Sequence, residues 1–299
     1  RQHLNSVVVS AARNEQNEEE IGIPISILRE EEIKSTGLLK LSEILEEQTG
    51  LQIVYDHGTG LQMQGLSSDY IQILIDGEPV IGRTGGVLDL DRITLNNVER
   101  IEIVKGPSSS IYGSEALAGV VNIITQNAKQ GWQLNTGVKY RSFKTVDAFI
   151  DGSYANKKVG IRGFINRNSS HGYDLDKTSI ALTSPKYYSY NADLSIDYWI
   201  SERSKLTASG SVYTENQRNR DSLYLSGSNQ YTDIEEQTKN GDVKLHFKYF
   251  FKKGHNLEVT NRFSDFTSLY FLHSDDAEAN LYEEDFKQLL NRTNAQASF

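Results

Sequence analysis

Two hydrophobic rhythms divide the chain. Up to about Gln126 the rhythm is mixed. Ile23–Leu28 (IPISIL) reads as a strand, and REEEIKSTG after it as a short acidic helix stopped by Gly37. Leu41, Ile44, Leu45 and Gln48 fall at helical spacing, which predicts an amphipathic helix ending at Gly50. Leu51–Val54 and Leu61–Leu66 alternate as strands around His57-Gly58-Thr59-Gly60, and Ile71–Ile75 is an apolar strand before an Asp76-Gly77 turn. Val98–Lys105 alternates loosely, Gly106-Pro107 breaks it, and Pro107 suits the start of a short helix over Ser108–Tyr112. Val120–Thr125 closes the unit as a second apolar strand.

After Gln126 the alternation becomes regular. Trp132, Leu134, Thr136, Val138 and Tyr140 take turns with polar residues, as do Val146–Tyr154, Val159–Ile165 and Ala192–Ile200. Leu206–Val212, Val243–Tyr249 and Leu257–Phe263 continue it, each about ten residues long, and a poorly alternating eighth segment covers Glu283–Phe299. Asn156–Lys158, Ser201–Arg203 and Lys252–Gly254 are predicted tight turns, whereas Ser170–Lys186, Gln217–Gln237 and Leu272–Tyr282 are predicted long polar loops. Short connections at one end and long ones at the other are the asymmetry of a transmembrane β-barrel, and Trp132, Tyr140, Tyr154, Tyr198 and Trp199 lie near strand ends, where an aromatic girdle belongs.

Composition agrees without deciding the matter. The chain has 299 residues, 37% hydrophobic, and a mean hydropathy of −0.50. No stretch approaches the roughly 18 apolar residues of a spanning helix, a test that an alternating barrel strand escapes. Sixteen Tyr and 11 Phe against one Met favour strands; a soluble all-β protein shares that bias. The net charge of −9 argues against nucleic acid as a partner. The absence of cysteine removes disulfides, thiolate metal sites and cysteine nucleophiles. No charged-then-apolar leader opens the chain at Arg1; for an exported protein the expectation is then a chain that begins after processing, or one part of a longer protein.

Catalytic motifs are missing. There is no H-E-x-x-H, G-x-S-x-G or CxxC, and GPSSSIYGS lacks the G-K-[ST] ending of a phosphate loop. Asp275, Asp276, Glu278, Glu283, Glu284 and Asp285 read as an acidic surface loop, with calcium binding as the alternative. The expectation is a non-enzyme without cofactor or resident metal.

The segment VERIEIVKGPSSSIYGSEALAGVVNIIT (Val98–Thr125) closely resembles the final part of the plug domain of TonB-dependent outer-membrane receptors. PISILREEEI, LSEILEEQTGLQI and LIDGEPV match further plug segments, so the resemblance covers about Val7 to Gln126. Asn5–Ala11 (NSVVVSA) resembles the Ton box, with Asn5 in place of an acidic residue and Ser6 and Ser10 in place of threonines. The resemblance implies an α+β plug domain followed by an antiparallel transmembrane β-barrel, of which this chain holds about 8 of about 22 strands, leaving roughly 14 outside it. The implied divisions are 1–12 for the Ton box and its extension, 13–128 for the plug, and 129–299 for the first part of the barrel.

By the same resemblance, Asn5, Ser6, Val7, Val8, Val9, Ser10 and Ala11 bind TonB by adding a strand to its sheet. Receptors usually carry Arg-Gly where this chain has Gln64-Gly65; that position and Arg100 would latch the plug to barrel-wall carboxylates, with charge left only at Arg100. Position in the plug and long loops makes His57, Arg83, His171, Tyr173 and His273 candidate ligand contacts, His57 or His273 being considered for haem. A solvated loop residue is the alternative for His57, His273 and Arg83, and a solvated strand arginine for Arg100. The implied function is active import of a scarce, bulky nutrient (an iron chelate, haem or cobalamin) across the bacterial outer membrane. The implied partners are TonB with its inner-membrane energising complex, the nutrient, outer-membrane lipid and, as a further candidate, a surface lipoprotein. A passive structural or adhesive barrel and a soluble β-rich binding module are the rival readings.

Overall fold

The computed structural model describes residues 7–8, 16–17, 25–55, 58–107, 114–176, 178, 180–225, 228–252, 255–274 and 280–298. It separates into two compact units, Arg1–Asn127 and Ala128–Phe299.

In the first unit, β1 (Val7–Val8) pairs antiparallel with β2 (Gln16–Asn17). The chain then runs through β3 (Ile25–Arg29), α1 (Glu30–Thr36) and α2 (Leu41–Glu46) to β4 (Leu51–Tyr55) and β5 (Thr59–Met63). After these come β6 (Ile71–Ile75), β7 (Glu78–Pro79), β8 (Arg83–Thr84), β9 (Val87–Leu88), β10 (Val98–Lys105) and β11 (Gly119–Thr125). Glu30, Glu31 and Glu32 crowd the first turn of α1, where the helix dipole favours carboxylates, and Glu32 accepts the Arg29 amide at 2.8 Å. Gly37 ends α1 in the left-handed conformation expected of a helix C-cap. The second helix is shorter than its periodicity predicts: it ends at Glu46, with Glu47 as its cap.

The unit is organised on a five-stranded sheet in the order β3-β10-β11-β6-β7, antiparallel except for the parallel pair β11·β6. Its main core joins one sheet face (Ile101, Ile103, Val121, Ile123, Ile71, Ile73) to Ile33 of α1 and Leu41, Ile44 and Leu45 of α2, all buried. The loose alternation of β10 has a local cause. The register with β11 slips between Val98 and Arg100, a bulge that puts Val98 and Ile101 into the same core despite their odd spacing. Gly119 opens β11 because the backbone there has φ +152, and a Cβ would lie 2.2 Å from the Val104 carbonyl oxygen and 2.5 Å from Met63 Sδ.

The second unit is one antiparallel sheet of eight strands in sequence order. They are β12 (Gly131–Arg141), β13 (Thr145–Ala155), β14 (Val159–Ser170), β15 (Lys186–Ser201), β16 (Ser204–Leu225), β17 (Ser228–Lys252), β18 (His255–Ser274) and β19 (Asn280–Ser298). Among the described residues the sheet is open, β12 and β19 being its two edges.

Its polarity is inverted relative to a water-soluble sheet. Leu134, Val138, Ile150, Ile165, Leu194, Ile200, Val212 and Val243 are exposed, while Asp147, Asp151, Arg162, Asn166 and Glu215 are buried. The two sets alternate along the strands: Ile161 and Ile165 are exposed while Arg162, Phe164 and Asn166 between and beside them are buried. A soluble sandwich hides the first set and wets the second. Trp132 and Tyr154, 4.7 Å apart between ring centroids, stand on the exposed face beside a tight turn.

Three expectations need correction. Gln217–Gln237 is no loop, because β16 and β17 run for 22 and 25 residues and pair continuously to Leu225 and Ser228. The alternation disappears there because both faces of the hairpin are polar; its rungs are held by Asn216–Glu235, Arg218–Glu235 and Arg220–Asp233. Leu272–Tyr282 shrinks in the same way, since β18 reaches Ser274 and β19 starts at Asn280. Glu283, Glu284 and Asp285 are therefore strand residues, while Asp275, Asp276 and Glu278 lie outside the described residues.

Candidate functional site

The β10–β11 hairpin of the first unit carries a polar network on the sheet face opposite the main core. Arg100 Nε donates to Glu102 Oε1 at 2.8 Å, and Arg100 Nη1 reaches Glu99 at 3.1 Å. Glu102 is fully buried, and its other oxygen accepts from Asn122 at 3.4 Å on the neighbouring strand. Asn122 in turn accepts the Gly77 amide at 3.1 Å, which fixes the Asp76-Gly77 turn. Arg100, proposed from the resemblance as a latch to other carboxylates, thus has two carboxylates of its own unit. At Gln64-Gly65 the chain makes a tight turn, with reciprocal hydrogen bonds between Met63 and Leu66. Gln64 takes φ +52 there and its side chain is exposed.

Arg83 belongs to a second cluster. Its guanidinium donates to the carbonyl oxygens of Ser68 (2.8 Å), Ile71 (2.7 Å) and Gly86 (3.1 Å), so it staples the β8–β9 turn to the start of β6. Burial lowers its pKa from the ordinary arginine value, partly offset by the charges of Glu115 and Asp69. Arg92, also buried, reaches the carbonyls of Gly82 and Ile81 at 3.0 and 3.3 Å. The sequence suggests a loop arginine open to a ligand; the geometry gives Arg83 a stapling task.

At the end of the sheet opposite the tight turns, two connections meet. His171 donates its amide to the Phe143 carbonyl at 3.2 Å, and the rings of Phe143 and Tyr173 lie 4.6 Å apart. Thr145 and Ser170 join the strands below through their hydroxyls at 3.0 Å. Phe143 and Lys144 hold φ +61 and +53, a conformation that costs a side chain with a Cβ, and Phe143 remains 53% exposed. The rest of the 171–185 connection is pinned to β16, where Asn219 exchanges two hydrogen bonds with Leu182. His171 and Tyr173 are therefore brought together with Phe143. Phe143 escapes a sequence reading because nothing in Ser142-Phe143-Lys144 is typical of a left-handed turn.

The remaining candidates are elsewhere. His273, on β18, is three strands beyond β15 in sheet order and stacks on Phe271 at 6.0 Å. Its register partners place it on the face that carries Val243 and Phe263, away from the buried polar one. Val7 and Val8 have extended backbone, one edge of which pairs with β2. Asn5, Ser6, Val9, Ser10, Ala11 and His57 lie outside the described residues.

The buried sheet face is a connected polar surface. Arg162 and Asp151 pair at 2.8 Å, Asn166 and Asn168 both donate to Asp147 (2.9 and 3.0 Å), and Tyr187 donates to Asn168 at 2.6 Å. Each of these charges is matched by a neighbour, as burial requires.

Comparison with known proteins places these features. Residues 17–120 match the family described as the TonB-dependent Receptor Plug Domain. The chain is 32% identical over 180 residues to the vitamin B12 transporter BtuB of Vibrio cholerae serotype O1, covering 58% of this chain and 29% of that protein. It is 28% identical over 254 residues to the vitamin B12 transporter BtuB of Vibrio vulnificus, covering 80% and 39%. The chain thus spans about a third of the length of these curated relatives. Among solved structures, the ferripyoverdine receptor of the Pseudomonas aeruginosa outer membrane superposes with TM-score 0.67 at 12% identity, over 98% of this chain and 52% of that one. The siderophore receptor PiuA of Acinetobacter baumannii does so with TM-score 0.67 at 15% identity, over 90% and 40%.

Proposed function

We propose, from the premise that this chain belongs to the TonB-dependent receptors and comprises a plug domain and the opening strands of a barrel, that the whole protein imports a bulky metal chelate across the bacterial outer membrane. Members of the family are receptors and transporters, not enzymes, and the work of transport comes from TonB. In this reading the exposed apolar face of β12–β19 meets lipid, the buried polar face lines the lumen, and the first unit acts as the gate. The single observation that carries the reading is the inverted polarity of the sheet. Apolar side chains facing out and matched polar ones facing in suit a wall between hydrocarbon and a wet interior.

Each part then has a task. Cargo binds from the long-loop side, with Phe143, His171 and Tyr173 offering an aromatic and imidazole contact surface. The Arg83 and Arg92 staples keep the loop 79–88 of the first unit in shape. TonB pairs with Asn5–Ala11 on the periplasmic side and pulls. The cargo class is a metal chelate: iron chelate, haem or cobalamin. The likeness to vitamin B12 transporters supports testing cobalamin first among these.

The test is uptake by cells whose own receptors for these nutrients are deleted and which express the full-length protein. Labelled cobalamin, ferric chelates and haem are offered with and without a protonophore. Accumulation of one of them that stops when the proton gradient collapses supports the reading. Accumulation that ignores the gradient would indicate a passive pore.

A further inference from the structure

We infer that the cargo carries a positively charged organic arm, an alkylammonium or guanidinium, and that the lumen-side face of β16–β19 receives it near their long-loop end. The inference rests on the import reading above and names the charge class of the cargo. Cross-strand register fixes which side chains share this face. One row runs Gln217, Glu236, Tyr270, Glu284 across the four strands, and the row above it runs Asn219, Ile234, Leu272, Tyr282. Asp221 and Thr232 pair above these rows, and Glu215 and Thr238 pair below them. The same face buries Glu215, Thr238, Ser264 and Phe266, which makes it the polar, lumen-lining one in that reading.

Negative charge and aromatic surface coincide there. Glu215, Asp221, Glu236 and Glu284 all stand on this face, and within these rows no lysine or arginine does. The cations of the same stretch, Arg218, Arg220, Lys239 and Lys287, alternate onto the other face. There Arg218 and Arg220 pair with Glu235 and Asp233 at 3.3 and 2.8 Å. Glu236 and Glu284 are the two cross-strand neighbours of Tyr270, so its ring stands between carboxylates whose strands are roughly 10 Å apart. Tyr270 and Tyr282 meet edge to face, with ring centroids at 6.5 Å. Burial, and after it the charges of Glu236 and Asp221, raises the Tyr270 pKa above the ordinary phenol value, the mark of an anionic surround. Thr232, the direct partner of Asp221, is fully buried on this face, and its hydroxyl has no hydrogen-bond partner among the described residues.

Four carboxylates without a cation among them repel one another and repel an anionic chelate. An organic cation answers each part of the face. Its charge rests against the tyrosine rings, its N–H groups donate to Glu236 and Glu284, and the Thr232 hydroxyl beside Asp221 is a further acceptor. A bare metal ion is a poorer match. Hard cations need several oxygens converging on one point, and the described acidic and imidazole side chains form no such group. Binding is non-covalent throughout.

The experiment titrates the full-length receptor in neutral detergent and follows quenching of its intrinsic fluorescence. One pair of probes is a ferric trishydroxamate ending in a primary ammonium and the same chelate with that amine acetylated. A second pair is a cobalamin carrying an aminoalkyl arm and its acetylated form; a ferric triscatecholate supplies a trianion. On at least one scaffold the ammonium form should bind about tenfold tighter than its acetylated twin, and the trianion more weakly than either. Glu236→Gln with Glu284→Gln should abolish that preference and leave the acetylated form bound as before. Glu283→Gln, on the other face of β19, should leave the preference intact, and a folded-band assay on unheated gels confirms that each variant is assembled. Equal binding within both pairs, a preference that survives the double variant, or tighter binding of the trianion would overturn the site. Failure of all four paired probes to bind would overturn it as well. Detergent solution holds no proton gradient, so accumulation in cells that ignores the gradient would fail the import reading while leaving this preference in place.

Discussion

Arg100 and Glu102, two residues apart on one strand of the plug, form an ion pair of 2.8 Å in which the carboxylate is wholly buried and the arginine partly so. Truncating the cation removes the guanidinium from a carboxylate that stays buried, with Asn122 donating to its other oxygen. Arg100→Ala should therefore lower plug stability by about 3–5 kcal/mol, whereas Arg100→Met with Glu102→Leu should recover most of that loss. Thermal unfolding of the full-length receptor, followed by a probe placed in the plug, measures both. Equal melting temperatures for Arg100→Ala and the parent would show that the pair contributes nothing.

Gly119 is the tightest point of the same hairpin. Gly119→Ala drives a methyl group toward the Val104 carbonyl and Met63 and imposes a backbone angle that side chains avoid. A loss of more than about 2 kcal/mol is expected, read from the same plug transition.

The sheet offers a paired test of facing. Ile165→Arg puts a charge on the 60% exposed apolar face, which should cost about 2–4 kcal/mol of folding free energy in a bilayer. Asn168→Arg, on the opposite face beside Asp147, should cost less. Denaturant titrations of the refolded receptor in lipid vesicles give both values; the reverse order would mean that the faces are exchanged.

Much of this architecture is legible in the sequence, for a definable reason. Where one face of an element is apolar and the other is not, the period survives: α2 and the first seven strands of the second unit can be located from it. The upper halves of β16 and β17 cannot be, because Asn216, Arg218, Glu235 and Gln237 make cross-strand pairs on a face that no apolar residue marks. The site is less legible still. Arg83 and Arg100 look like free loop and strand cations in the sequence, and only the folded chain brings up the three carbonyls and two carboxylates that hold them. Phe143 lacks any turn signature.

The strained tip at Phe143 and Lys144 separates stability from binding. Lys144→Gly removes an unfavourable left-handed conformation from an exposed residue and should stabilise the hairpin by up to about 1 kcal/mol. Phe143→Ala keeps the strain but deletes the ring that packs against Tyr173. It should weaken cargo binding several-fold, by about 1 kcal/mol for the lost aromatic contact, with no change in barrel folding. Isothermal titration with the cargo found in the uptake panel checks it.

The whole account depends on energy entering through the amino-terminal strand rather than on a passive hole. Deleting Asn5–Ala11 from the full-length receptor, and measuring cargo binding to whole cells beside accumulation inside them, tests this most directly. The account predicts binding equal to the parent and accumulation reduced to the level of cells lacking the receptor. Accumulation at the parent's rate from the deleted form would contradict it.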